Sequence, residues 1–157
     1  MRRLLVHVEG QTEESFVNEL LAPHLYQHGY SQVSARLFGN ARNRDRRGGI
    51  RGWDSAREDI ARHLKEDTGC IATTMVDYYA LPKSGSREWP GRAAADTLPF
   101  ASEAGTVEAA LLEDMATAFG AAQRLIPYVM MHEFEGLLFS DCAAFAKGHF
   151  YKLRNSC

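Results

Sequence analysis

Leu4-Leu5-Val6-His7-Val8-Glu9-Gly10-Gln11-Thr12-Glu13-Glu14 is the stretch on which the fold turns. Leu4 to Val8 is short, apolar and β-branched, as a buried strand is. Gly10 suits a tight turn. Thr12 is placed to cap a following helix, and Glu13 and Glu14 fall in its first turn, where carboxylates meet the positive end of the helix dipole. The pattern predicts a strand, a turn and a helix, with Glu9 at the strand's carboxyl end. In an open α/β sheet, ligands and catalytic groups collect at that edge.

Two more runs have the same form. Cys70-Ile71-Ala72-Thr73-Thr74-Met75-Val76-Asp77 and Ile126-Pro127-Tyr128-Val129-Met130-Met131-His132-Glu133 are apolar and end on an acid. Helix-like segments separate them, so the strands are expected to be parallel. Glu9, Asp77 and Glu133 then end on one side of the sheet. Clustered carboxylates repel one another unless protons or a cation fill the site. Hard oxygen donors favour Mg²⁺, which takes one or two carboxylates, waters and substrate phosphate. Taken singly, each acid reads as a solvated strand end; together they read as a site.

The rest of the chain fits the same plan. A helix is expected from Thr12 to about Ala22, with Phe16, Val17, Leu20 and Leu21 on its apolar face and Pro23 ending or kinking it. His24 and His28 lack a third ligand and read as surface residues. A strand is expected over Val33–Phe38, a helix over Trp53–Glu66 and another over Thr106–Phe119. Between them, Ala80 to Gly105 reads as a long loop of the kind that forms lids or binding loops. Its Trp89-Pro90-Gly91 either covers the site or, as we favour, anchors the loop to the body. Short helices are expected over Phe134–Phe139 and Cys142–Ala146. The order β-α-β-α-β-α-β-α indicates an α/β fold with a mainly parallel central sheet flanked by helices.

Bulk properties narrow the classes. A chain of 157 residues, 45% hydrophobic and 24% charged, suits one globular domain. No apolar run approaches a membrane span, and the start is not a signal peptide, so no membrane partner is expected. Cys70, Cys142 and Cys157 have no metal-ligand spacing, which suits a reduced, cytoplasmic setting. The net charge of −2 is unevenly spread. Residues 42–51 hold five arginines and one aspartate, leaving −6 for the remainder. This is a candidate phosphate-binding loop, with Gly48-Gly49 allowing close backbone approach, or else a solvated loop. Other catalytic motifs fail. His132-Glu133-Phe134-Glu135-Gly136 has glycine where the zinc motif HExxH needs its second histidine. There is no Walker lysine, no GxGxxG and no GxSxG elbow.

Val8-Glu9-Gly10-Gln11-Thr12-Glu13-Glu14-Ser15-Phe16 resembles the opening motif of Toprim-type domains, the metal-binding domains of topoisomerases, primases and overcoming-lysogenization-defect nucleases. More closely, the chain is similar to the DUF4276 family, placed among the Toprim-like folds. Glu9-Gly10-Gln11-Thr12-Glu13 carries this likeness, followed by Thr73-Thr74-Met75-Val76-Asp77-Tyr78-Tyr79-Ala80-Leu81-Pro82 with Trp89-Pro90-Gly91, and then His132-Glu133-Phe134-Glu135-Gly136-Leu137-Leu138-Phe139-Ser140. It spans roughly residues 3 to 141 and implies a Toprim-like three-layer sandwich over residues 1–146, with 147–157 an atypical tail that reads as truncated or frame-shifted.

In Toprim domains the first glutamate acts in acid-base chemistry or binds metal, and an Asp-x-Asp after a later strand holds Mg²⁺. The resemblance implies those catalytic roles for Glu9 and Asp77, with Mg²⁺ or Mn²⁺ as the cofactor. Tyr78 and Tyr79 follow Asp77, so the second aspartate is missing, and Glu133 or Glu135 is left to supply that ligand. Two readings stand. One is a Mg²⁺-dependent nuclease of bacterial anti-phage defence. In it Arg44, Arg46, Arg47 and Arg51 hold the phosphate backbone of a nucleic acid, and an ATPase partner protein is implied by analogy. The other is a non-catalytic nucleic-acid-binding or regulatory partner subunit of such an ATPase.

Overall fold

The computed structural model describes residues 2–38, 50–120, 122–134 and 136. Strand β1 (Arg2–Val8) is followed by a long helix, α1, over residues 11–26, and by β2 (Tyr30–Leu37). Next come α2 (Trp53–Glu66), β3 (Cys70–Asp77), the four-residue α3 (Arg92–Ala95) and α4 (Phe100–Phe119). The described sheet ends with β4 (Leu125–Ile126) and β5 (Val129–Met130). All pairings are parallel, in the order β2-β1-β3, with β4 and β5 both on the far side of β3. Helices cover both faces, giving the three-layer α/β arrangement expected for a parallel sheet.

The two faces have separate cores. On one, α1 packs through Val17 and Ala22 onto Val6, Val8, Val33, Ala35, Met75 and Met130. On the other, α2 and α4 pack through Ile60, Leu64, Leu111 and Met115 onto Ala72, Val76, Leu125 and Val129. The chain therefore leaves β1 toward one face and β3 toward the other. These strands are neighbours, so the gap between their carboxyl ends is the topological switch point of the sheet.

Several elements depart from the sequence expectations. The first helix does not stop at Pro23. It passes through π geometry over Val17–Leu21 and resumes α geometry over Ala22–Tyr26. Proline lacks the N–H for an i→i−4 bond, and a π turn accommodates that loss within a continuous helix. Leu20, expected on the buried face, is exposed. Gly10, rather than Thr12, occupies the N-cap, and it is extended (φ −135°). A Cβ there would lie 2.8 Å from Glu13 Oε2, the movable end of a flexible side chain, so neither backbone nor space demands glycine. The long loop shortens because α4 starts at Phe100, capped by Pro99.

The last strand is split by Pro127. Ala72 pairs with Leu125, Thr73 with Ile126, Val76 with Val129 and Asp77 with Met130, so the register is the same on both sides of the break. The Thr74 hydroxyl spans it, donating to the Tyr128 carbonyl (3.0 Å) and accepting from the Tyr128 N–H (2.9 Å). The strand ends at Met130, so Glu133 lies three residues beyond it. The expected helices over Phe134–Phe139 and Cys142–Ala146, and the 147–157 tail, extend into or lie within the residues outside the described set.

Candidate functional site at the carboxyl edge of the sheet

Glu9 leaves β1 directly at the switch point, and Asp77 is the last residue of β3. The structure brings these two acids together. The Asp77 backbone N–H donates to Glu9 Oε1 at 2.6 Å. Asp77 Oδ1 in turn accepts from the Tyr79 N–H at 2.9 Å and caps the 3₁₀ turn Tyr78–Ala80. Each carboxylate thus spends one oxygen on the backbone of the same turn. Burial pushes the Glu9 carboxyl up to about 7, and the charges of Asp77 and Glu13 push the same way. The Asp77 N–H opposes them by stabilising the anion.

The third strand acid is placed differently. Glu133 is exposed, beyond β5 on the same edge of the sheet. The next residue, Phe134, is buried in the α1-side core and meets Phe16 edge-on, ring centroids 5.2 Å apart. That contact fixes where the segment leaves the sheet. Glu135 lies outside the described residues, as do Arg44, Arg46 and Arg47. Arg51 is half-buried at the foot of the arginine loop, just before α2. Its carbonyl accepts from Trp89 Nε1 at 2.7 Å, and Arg87 bonds the neighbouring Ile50 carbonyl. Phe38, the last described residue before the arginine loop, donates its N–H to the Val8 carbonyl at 3.0 Å.

Trp89 is fully buried and packs on Trp53 and Phe38, so Trp89-Pro90-Gly91 is an anchor rather than a cover. Among the described residues, no group of three or more His, Cys, Asp or Glu side chains is arranged to hold a metal ion. Glu9 and Asp77 nonetheless suit one in their donor chemistry. Both are hard oxygen donors, and among the described residues each has one oxygen without a hydrogen-bond partner. Mg²⁺ commonly takes only one or two carboxylates and keeps several waters.

Two ionisable groups on β1 and α2 escaped the sequence reading. His7, only 1% exposed, places Nε2 3.0 Å from His63 Nδ1, and its ring stacks against both His63 and Phe38. Burial pushes His7 down to about 3, helped by the charges of His63 and Arg36. Beside the pair, a cleft of 170 Å³ runs between the polar side of β2 and α2 and includes Ser34, Arg36 and His63. β1 is buried from Leu5 to Val8, on both faces of the sheet, which places His7 inside, but its partner comes from a helix 56 residues later. Only packing reveals the pair.

No curated protein and no solved structure matches the chain. No helix among the described residues is long and apolar enough to cross a membrane. The model of the domain of unknown function DUF4276 matches residues 8–157, nearly the whole length, and the chain belongs to that family.

Proposed function

We propose that this protein is a Toprim-like, Mg²⁺- or Mn²⁺-dependent phosphodiesterase acting on nucleic acid. The observation that carries the reading is the meeting of Glu9 and Asp77 at the switch point, with the Glu9 carboxyl held near 7. In the cation-free protein that carboxyl holds its proton to near neutral pH, and a bound cation would displace it. Glu9 and Asp77 would hold the cation through the oxygens not engaged by the described backbone, with Glu133 or Glu135 as a further ligand. A cation bound there supplies charge stabilisation for a phosphoryl oxygen and a more acidic water. Arg51, together with Arg44, Arg46 and Arg47, would bind the phosphate backbone, which is positioning rather than sequence readout. Bacterial anti-phage defence beside an ATPase partner, in the cytoplasm, is the setting the family resemblance suggests.

One observation favours the alternative of a non-catalytic nucleic-acid-binding or regulatory subunit. Both carboxylates already have structural duties on the Tyr78–Ala80 turn, which accounts for them without a cation. The two readings separate in one titration. Calorimetry with Mn²⁺ on the wild type and on Glu9→Gln/Asp77→Asn is expected to show binding that the double variant abolishes. Binding should strengthen from pH 6 to pH 8, because the cation displaces the Glu9 proton. Metal-dependent cleavage lost in Glu9→Gln supports the enzyme. Nucleic-acid binding that is indifferent to cations and to both substitutions supports the subunit.

A further inference from the structure

Arg92 is the most deeply buried cation among the described residues, with 1% of its surface exposed. Removing a guanidinium from water is costly unless its charge and donors are satisfied. Here they are satisfied around one residue, Tyr78, the immediate neighbour of Asp77. Arg92 Nε donates to the Tyr78 carbonyl at 2.9 Å, and the guanidinium lies 3.7 Å from the centre of the Tyr78 ring. Its charge pairs with Asp96, which also pairs with Lys83 and accepts from the Tyr78 hydroxyl at 3.2 Å. Arg92 therefore grips Tyr78 by its carbonyl and ring, and by its hydroxyl through Asp96.

The turn before Arg92 accounts for its placement. Trp89-Pro90-Gly91-Arg92 is a type II turn: Gly91 has φ 76° and ψ −13°, and the Arg92 N–H donates to the Trp89 carbonyl at 3.1 Å. That third position favours glycine for its backbone angles. It also lacks room, since a Cβ would lie 2.9 Å from Ala110 Cβ and 3.0 Å from the Thr106 carbonyl on α4. Trp89 holds one end of the turn in the core, and α4 presses on the other.

We propose that Arg92 is a positioning residue for the Asp77 carboxylate, and that the Trp-Pro-Gly turn serves to deliver it beneath the Asp77 turn. The Tyr78 carbonyl and the Tyr79 N–H share one peptide plane, so by holding that carbonyl Arg92 sets the direction of the Tyr79 N–H that Asp77 Oδ1 accepts. The cation-binding part of this inference rests on the function proposed above; the clamp itself does not. Arg92→Lys keeps the charge but loses the planar fork and the stack. Asp96→Asn keeps the guanidinium fork and its stack on Tyr78 but removes its paired charge, providing an independent second variant should Arg92→Lys fail to fold.

The test pairs two readouts on the full chain: the Tyr79 amide, by NMR shift and hydrogen exchange, and Mn²⁺ affinity by calorimetry. Both variants are expected to shift the Tyr79 amide and speed its exchange while distant core amides stay protected. Arg92→Lys should weaken Mn²⁺ binding about tenfold, the usual scale for residues that orient a ligand from behind. Arg62→Ala, at an exposed pair on α2, should change neither readout. A folded Arg92→Lys with an unchanged Tyr79 amide overturns the proposal, as does a Tyr79 amide that loses protection only in step with the whole core. A wild type that binds no Mn²⁺ removes the metal reading, while the Tyr79 amide still decides the clamp.

Discussion

His7 and Glu9 stand two residues apart, one on β1 and the other just past its end, and burial makes both poor ions. It does so in opposite directions on the pH scale. His7 is held down to about 3 from 6.5, and Glu9 is held up to about 7 from 4.5. His7 points into the α2 side of the sheet, where a second histidine and Arg36 add to the cost of charging it. Glu9 sits at the rim, where solvent, Asp77 and Glu13 share its surroundings. The strand thus carries an ionisable group locked neutral, and the residue just past its end changes charge near pH 7. The difference is position: an interior histidine pair is part of the packing, whereas an acid at the switch point remains within reach of a ligand.

The contrast has a signature in stability. The unfolded chain binds a proton on His7 more readily than the folded one between pH 6.5 and about 3, so this group makes stability rise with pH. The folded chain binds a proton on Glu9 more readily between 4.5 and about 7, so that group makes stability fall with pH. Over the shared window from pH 4.5 to 6.5 the two slopes oppose, and the wild type is expected to show little net dependence from this pair.

Removing one member exposes the other. Glu9→Gln should show the largest effect, losing about 3 kcal/mol of stability from pH 7 to pH 4.5 as His7 alone acts. Urea denaturation at half-unit pH steps measures this, and a flat profile in that variant would falsify the assignment of a neutral, buried His7. His7→Gln should reverse the slope, gaining about 1–2 kcal/mol from pH 8 to pH 5. This is the smaller change because Glu9 is partly solvated and its shift must be discounted for screening. Arg36→Gln should act least. Loss of that exposed charge lets His7 and His63 take protons more easily, softening the acid slope by a few tenths of a kcal/mol. Moderate salt should mimic it, since salt screens exposed charges.

How far the sequence could be read varied with how local the physics was. The helix Trp53–Glu66 and the strand Cys70–Asp77 emerged with the expected bounds, because a 3.6-residue apolar stripe and a dense β-branched run are local signals. The strand-end rule also placed Glu9 and Asp77 together, since parallel strands align their carboxyl ends. It did less well for Glu133. Pro127 interrupts that strand and the ladder stops at Met130, so the apolar run overstated the strand's length. Trp89-Pro90-Gly91 was legible as an anchor, but what it anchors was not. Arg92 looks like any surface arginine until Tyr78 and Asp96 are seen around it.

The sequence by itself determined the element types, the parallel α/β class and the arrival of two acids at one edge. Hydrophobic period and strand-end chemistry are written in neighbouring residues. Only the tertiary structure decided which backbone N–H each acid accepts, which histidine faces His7, and that a buried arginine braces the turn between site and core. Those facts depend on side chains brought together from distant parts of the chain. Their energies come from desolvation and geometry, which no local pattern encodes.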